Sequence, residues 1–334
     1  GGLLFEAVAL CTIPFVLARR KDPAATIAWI LALIFIPFLG ICLYLLFGRS
    51  RVRWPARRKR AADDALRGHL IGFRFQPQEV SRPSSVLAGF GSGLFRVARV
   101  LSRGQSTHGN LVDVLIGGDT TYQYIGQAID NAKHHVHAEY YLIRPDKTGE
   151  WFFEKLISAA RRGVQVRLLC DGWGGFAIPR SWRKRLRDSG INLTFFFPIS
   201  SMLVHPVNLR NHRKIVVVDG QIGFTGGINI GDEYRGSMPL VGEWRDTHIR
   251  IQGPAVSELQ SVFLRDWFFS SHEIVDYSAL FPSFDDPDGC ATVAVLTSGP
   301  DTDSEAIHRI FFGAIGAARS RLWITTPYFV PDRS

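Results

Sequence analysis

At 334 residues, with 46% hydrophobic and 21% charged side chains, the chain is longer than an ordinary single domain and too apolar to be disordered. Its four cysteines, Cys11, Cys42, Cys170 and Cys290, have no paired spacing, which argues against a disulfide framework or a zinc site. The net charge of +9 suggests a nucleic-acid partner until its location is read: Arg49, Arg51, Arg53, Arg57, Arg58, Lys59 and Arg60 form one cluster without an acidic residue, and nine less those seven leaves about +2 elsewhere.

In chain order, the first apolar stretch covers 3–18 and is interrupted by Glu6 and Pro14. The second, 24–47, contains no charged residue, and as one helix it would rise about 36 Å, enough to cross a hydrocarbon layer of about 30 Å. Two membrane helices joined by Arg19-Arg20-Lys21-Asp22-Pro23 are expected, a transmembrane hairpin over 1–48. The basic cluster follows the second helix in a juxtamembrane linker, 49–108, suited to anionic lipid headgroups, and its excess over the three basic residues of the connection places the following domain in the cytoplasm. No basic leader with a small-residue cleavage site is visible. The stretch 61–107 carries Pro77, Pro83 and several glycines and serines, and reads as irregular.

From 109 onward, β-rich runs at 111–116, 136–143, 164–170, 192–197, 215–218, 221–225 and 248–251 alternate with helical patterns at 120–133, 150–162, 179–189 and 255–269. That alternation predicts an α/β domain with a largely buried sheet. The segment 128–146 is echoed by 314–332 at a constant offset of 186, and both copies end in Pro-Asp, at Pro145-Asp146 and Pro331-Asp332. Two related halves are expected, the first over 109–285 and the opening of the second over 286–334.

The sharpest chemical signal is His212-Arg213-Lys214, then Asp219, then Gly226-Gly227-Ile228-Asn229. On an extended chain His212 and Lys214 point to one side, so an imidazole able to attack phosphorus stands beside a cation able to offset phosphoryl charge. Asn229 could add a neutral donor. Asp219-Gly220 is also a strong turn signal between two strand-like runs, which leaves Asp219 open to a purely local role. His134, His135 and His137 lack a matching set of metal ligands and read as packing residues. Gly172-Trp173-Gly174-Gly175 reads as a loop at a strand's end near substrate, without the lysine and spacing of a P-loop, and Glu139 is a candidate for the cleft wall.

The string HxKxxxxD followed by GGxN resembles the defining motif of the phospholipase D superfamily. The neighbouring strings Trp244-Arg245-Asp246-Thr247-His248 and Thr326-Pro327-Tyr328-Phe329-Val330-Pro331-Asp332 resemble bacterial cardiolipin synthases. The resemblance covers 19–332 and is weakest over 61–107. It implies a phospholipase D-like mixed sheet flanked by helices, and transfer of a phosphatidyl group without a metal or cofactor. His212 attacks one phosphatidylglycerol, glycerol leaves, and a second phosphatidylglycerol resolves the phosphohistidine to give cardiolipin.

It implies catalytic roles for His212, Lys214, Asp219, Asn229 and Asp246, the last orienting the imidazole, and substrate contacts from Gly226, Gly227, Glu139 and His248. The expected partners are phosphatidylglycerol and anionic lipids of the bacterial inner membrane rather than nucleic acid; oligomeric state is left open. The offset of 186 puts a second motif histidine near position 398, so this chain alone is expected to lack half the acid–base chemistry. The alternatives are a phospholipase D-type hydrolase, a different phosphatidyltransferase, or an inactive membrane-bound scaffold.

Overall fold

The computed structural model describes residues 11–17, 23–44, 90–102, 106–198, 210–236, 244–277, 279–284, 289–299, 306–326 and 328. The basic cluster at 49–60 and most of 61–107 lie outside the described residues.

Residues 11–17 are helical, followed by α1 (Pro23–Phe35) and α2 (Pro37–Leu43). The continuous helix expected over 24–47 is interrupted: no described helix is long and apolar enough to cross a membrane, and 45–47 lie outside the described residues. The reason is local. Pro37 has no N–H to give the preceding turn, and Ile36 leaves helical geometry at φ −136, ψ 64. The bend brings Gly40 so close to the Ala32 backbone that a Cβ there would collide with its carbonyl. Val16, Leu33 and Tyr44 are buried together inside this bent unit, while Ile27, Phe35 and Phe38 face outward.

After α3 (Phe90–Ser102) comes an eight-stranded mixed sheet: β1 (Ser106–Ile116), β2 (His135–Tyr140), β3 (Gln165–Asp171), β4 (Asn192–Phe196), β5 (Ile215–Val218), β6 (Ile222–Gly226), β7 (Thr247–Gln252) and β8 (Ala291–Ala294). The spatial order is β4-β3-β2-β5-β6-β7-β1-β8. β2, β3 and β4 are parallel neighbours, linked by α5 (Lys147–Arg161) and α6 (Arg180–Asp188); the remaining pairings are antiparallel. This is the mixed, helix-flanked sheet that the resemblance implied. β2 ends at Tyr140, short of 143, because Ile143 leaves the ladder for a single parallel bridge to Ile230.

Strand alternation divides the core. Val216 and Val218 pack into the cluster beneath α4 (Gly118–Asn131) and α5, whereas Ile215 and Val217 face Val256, Leu259 and Val262 of α7 (Ala255–Ser271). β5 is buried on both faces, so a four-residue β-branched run is enough to specify it. Within the core, His135 and His137 both bond Gln260 of α7, at 3.2 and 2.7 Å. Burial lowers the His135 pKa to about 4 and that of His137 well below normal, so both pack as neutral rings. In the second copy of the repeat, α8 (Ala306–Ala317) forms as expected, but described residues 321–326 pair with no strand.

Candidate active site

His212 and Lys214 stand on the irregular segment that enters β5 at the middle of the sheet. Lys214 is 3% exposed, and its ammonium donates to the His212 carbonyl at 2.9 Å and lies 3.3 Å from the imidazole Nδ1. The imidazole itself is exposed. Tyr141 completes the group, its ring 4.8 Å from that of His212 and 5.6 Å from the Lys214 Nζ. Partial burial, then the neighbouring ammonium, lower the His212 pKa below its usual value, which favours the neutral, nucleophilic ring. Burial lowers Lys214 to about 8, with Asp246 pulling weakly the other way.

The backbone on either side of His212 is fixed from behind. Asp171, at the end of β3, accepts from Asn211 N at 2.9 Å through one oxygen and from Trp173 N at 2.8 Å through the other. The Asn211 side chain donates to Glu139 and accepts from Arg213 N at 3.0 Å, and Arg213 pairs with buried Asp266. Sequence reasoning missed Asp171 and Asp266. The available signals were an acid ending an apolar run just before a glycine loop, and an acid within an otherwise apolar helical stretch.

Beneath the pair opens a cavity of about 490 Å³ whose walls include Ile215, Ile249, Ile251, Leu259 and Val262, with His212, Lys214 and Arg210 among its polar lining. An imidazole, a cation and apolar walls thus share one concavity, in the size range of ligand sites.

The other expected residues fall into different places. Asp219 is not in the site: it sits at the far end of β5 with φ +53, and its carboxylate accepts from the backbone N–H groups of Lys133, His134 and His135, each at 2.8 Å. The turn role is the one its geometry fits. Glu139 is fully buried behind Asn211 rather than in the cleft wall, and desolvation, then Asp266, raise its pKa well above the usual carboxylate range.

Asn229 is buried, its amide donating to the Tyr234 hydroxyl at 2.6 Å and its oxygen accepting from Leu142 N at 3.3 Å, so both ends already have protein partners. Asp246 makes no hydrogen bond to His212; it accepts from Thr247 N at 2.7 Å and reaches Lys214 through its field.

His248 is 1% exposed with burial lowering its pKa to about 3, and neither ring nitrogen has a hydrogen-bond partner among the described residues. It flanks the site rather than facing solvent. The two glycines allow close approach: a Cβ on Gly226 would strike His248, and one on Gly227 would strike the Asp246 carboxylate. Gly226 also lines the cavity.

The chain is similar to known proteins over nearly its whole length. The profile of the family described as "Cardiolipin synthase, PLD-like domain" matches residues 125–267, and that described as "Phospholipase_D-nuclease N-terminal" matches 7–49. A cardiolipin synthase of Alkalihalophilus pseudofirmus is 39% identical over 316 residues, covering 94% of this chain and 62% of the relative. One from Halalkalibacterium halodurans is 36% identical over 334 residues, covering 98% of this chain and 66% of the relative. The chain therefore spans just under two thirds of the length of these curated relatives. Among solved structures, a phospholipase D family member, Nuc from Salmonella typhimurium, matches 48% of this chain and 96% of its own at 20% identity, with a TM-score of 0.36.

Proposed function

Because this chain belongs to the cardiolipin synthases of the phospholipase D superfamily, we propose that the full protein is a membrane-associated phosphatidyltransferase that makes cardiolipin from two molecules of phosphatidylglycerol. The observation that carries the reading is the exposed imidazole of His212 with the buried ammonium of Lys214 at 3.3 Å, over an apolar cavity.

In the first half-reaction a lone pair of the His212 ring attacks phosphorus, the P–O bond to the glycerol headgroup breaks, and the departing oxygen takes a proton. An arriving phosphate draws the Lys214 ammonium off the imidazole onto its own oxygens, where the positive charge offsets the negative charge that develops. Once the ammonium has left Nδ1, the ring proton moves from Nε2 to Nδ1, which frees the Nε2 lone pair for the attack, and Asp246, whose charge reaches Lys214, is the carboxylate we assign to accept from the Nδ1–H. In the second half-reaction a headgroup hydroxyl of another phosphatidylglycerol loses its proton and attacks phosphorus; the P–N bond breaks and His212 is restored.

The proton given to the leaving glycerol comes from a second group, which the repeat assigns to the second half. Asn229 and Tyr234 support the site from behind, and Asp219 shapes the turn beyond it. The apolar region at 7–49 is its membrane attachment, entering as a hairpin, and the basic cluster at 49–60 keeps the domain on the cytoplasmic face.

The test supplies phosphatidylglycerol vesicles to the full-length protein and follows lipid products and free glycerol. Cardiolipin and glycerol in equal amounts, with a loss of at least about 10³-fold in His212→Ala, are expected. Phosphatidic acid as the main product, or unchanged synthesis by His212→Ala, would overturn the reading.

A further inference from the structure

The turn after β3 exposes two aromatic rings at the rim of the site: Trp173 is 50% and Phe176 65% solvent-accessible. Soluble surfaces rarely leave two large rings so close together in the open. The turn is nonetheless well held. Asp171 accepts from Trp173 N at 2.8 Å, and Arg183 of α6 donates to the carbonyls of Phe176 and Ile178, both at 2.9 Å. The side of α6 next to this turn is basic. Arg180, Arg183 and Arg187, spaced three and four apart, share one helix face, and Arg183 touches the turn directly. Lys184 and Arg185 are paired with Asp188 and Glu154, whereas Arg180 and Arg187 are exposed cations. On the other flank, Arg210 stands 6.0 Å over the Trp173 ring.

Exposed aromatics rimmed by arginines match a bilayer surface, where rings enter the headgroup layer and guanidinium groups meet lipid phosphates. We infer that the turn bearing Trp173 and Phe176, with the Arg180–Arg187 face of α6, docks the catalytic domain onto an anionic lipid surface. The inference extends the lipid reading above and rests on it only for the choice of lipid.

The turn is also connected to the site. The same carboxylate that holds Trp173 N holds Asn211 N at 2.9 Å, one residue before His212, and Gly174 packs against the carbonyl of Tyr141, whose ring lies on the imidazole. One carboxylate and one backbone contact therefore join the docked turn to the backbone on which His212 stands.

The test places a spin label at Phe176→Cys in the full chain, with Cys11, Cys42 and Cys290 changed to serine and buried Cys170 kept. The ratio of collisions with oxygen to collisions with a water-soluble nickel reagent is then measured in detergent, in phosphatidylcholine vesicles, and in vesicles of phosphatidylcholine with phosphatidylglycerol. A several-fold rise confined to phosphatidylglycerol vesicles, and reduced in Arg180→Glu/Arg187→Glu, is expected.

An unchanged ratio, an equal rise in both vesicle types, or a label already shielded in detergent by another protein segment would overturn the proposal. Release of the label from the vesicles by duplex DNA would reassign the stripe to nucleic acid and also overturn it. The readout needs no turnover, so His212→Ala leaves it unchanged, and a failure of docking is distinct from a failure of lipid synthesis.

Discussion

Burial of the Lys214 ammonium lowers its pKa from 10.5 to about 8. The unfolded chain thus binds this proton more tightly than the folded one. Folding is penalised in full below about pH 8, and the penalty fades as pH rises from there toward 10.5. Lys214→Met is expected to stabilise the protein at pH 7 by about 1–2 kcal/mol, read as a higher Tm. The same change should lower lipid transfer by about 10²–10³-fold, because a fixed cation is lost at the phosphoryl oxygens. In the proposed mechanism the neutral form of His212 attacks, so activity is expected to fall as pH drops through a pKa below 6.5. Without the neighbouring charge, the limb measured on the residual activity of Lys214→Met should move upward.

Asp219 makes the opposite case at the same scale. Asp219→Ala leaves three backbone donors without their acceptor and is expected to cost about 2–3 kcal/mol in chemical denaturation, with kcat per folded molecule nearly unchanged. The spacing of HxKxxxxD was legible in the sequence, but not which of its members converge. A four-residue strand lies between Lys214 and Asp219 and carries the aspartate away from the site. The turn signal at Asp219-Gly220 was also legible, and it describes the position better. His212 and Lys214 were readable because they are two residues apart on extended chain, where geometry is local. Asp171 and Asp266 were not, because they reach the site from other elements.

At the scale of elements, the sequence patterns located every strand of the central sheet from β1 to β7, since buried β-branched runs and polar helix faces are local signals. The exception is the apolar N-terminal segment. Hydropathy alone made 24–47 one helix, but Pro37 and Gly40 make it two, with the second folded onto the first. Side-chain bulk at position 40 is incompatible with that bend. Gly40→Leu should therefore open α1 and α2 toward a single helix in detergent, and a label-to-label distance between Ile27→Cys and Leu43→Cys should lengthen by several ångström. An unchanged distance would mean that Pro37 alone sets the angle.

For the molecule as a whole, the strand order was the least legible feature, because it depends on pairings between distant segments. The parallel β2-β3-β4 portion follows from the alternation of strands and helices. Nothing local reveals that β1, the earliest strand, inserts between β7 and β8, with Leu115 opposite His248 and Thr107 opposite Val293. Strands β2 to β6 can meet partners soon after each is synthesised. β1 cannot, since both its neighbours come more than a hundred residues later, at 247–252 and 291–294. During translation the oldest part of the sheet is thus a bare strand awaiting the youngest, a topology that slows assembly and invites pairing with the wrong chain. Ribosome-held chains too short to bring 247–252 out of the exit tunnel should be cut by protease within 106–116, and chains long enough to bring out 291–294 should resist, so until residue 294 has emerged there is no finished sheet from which to present the histidine.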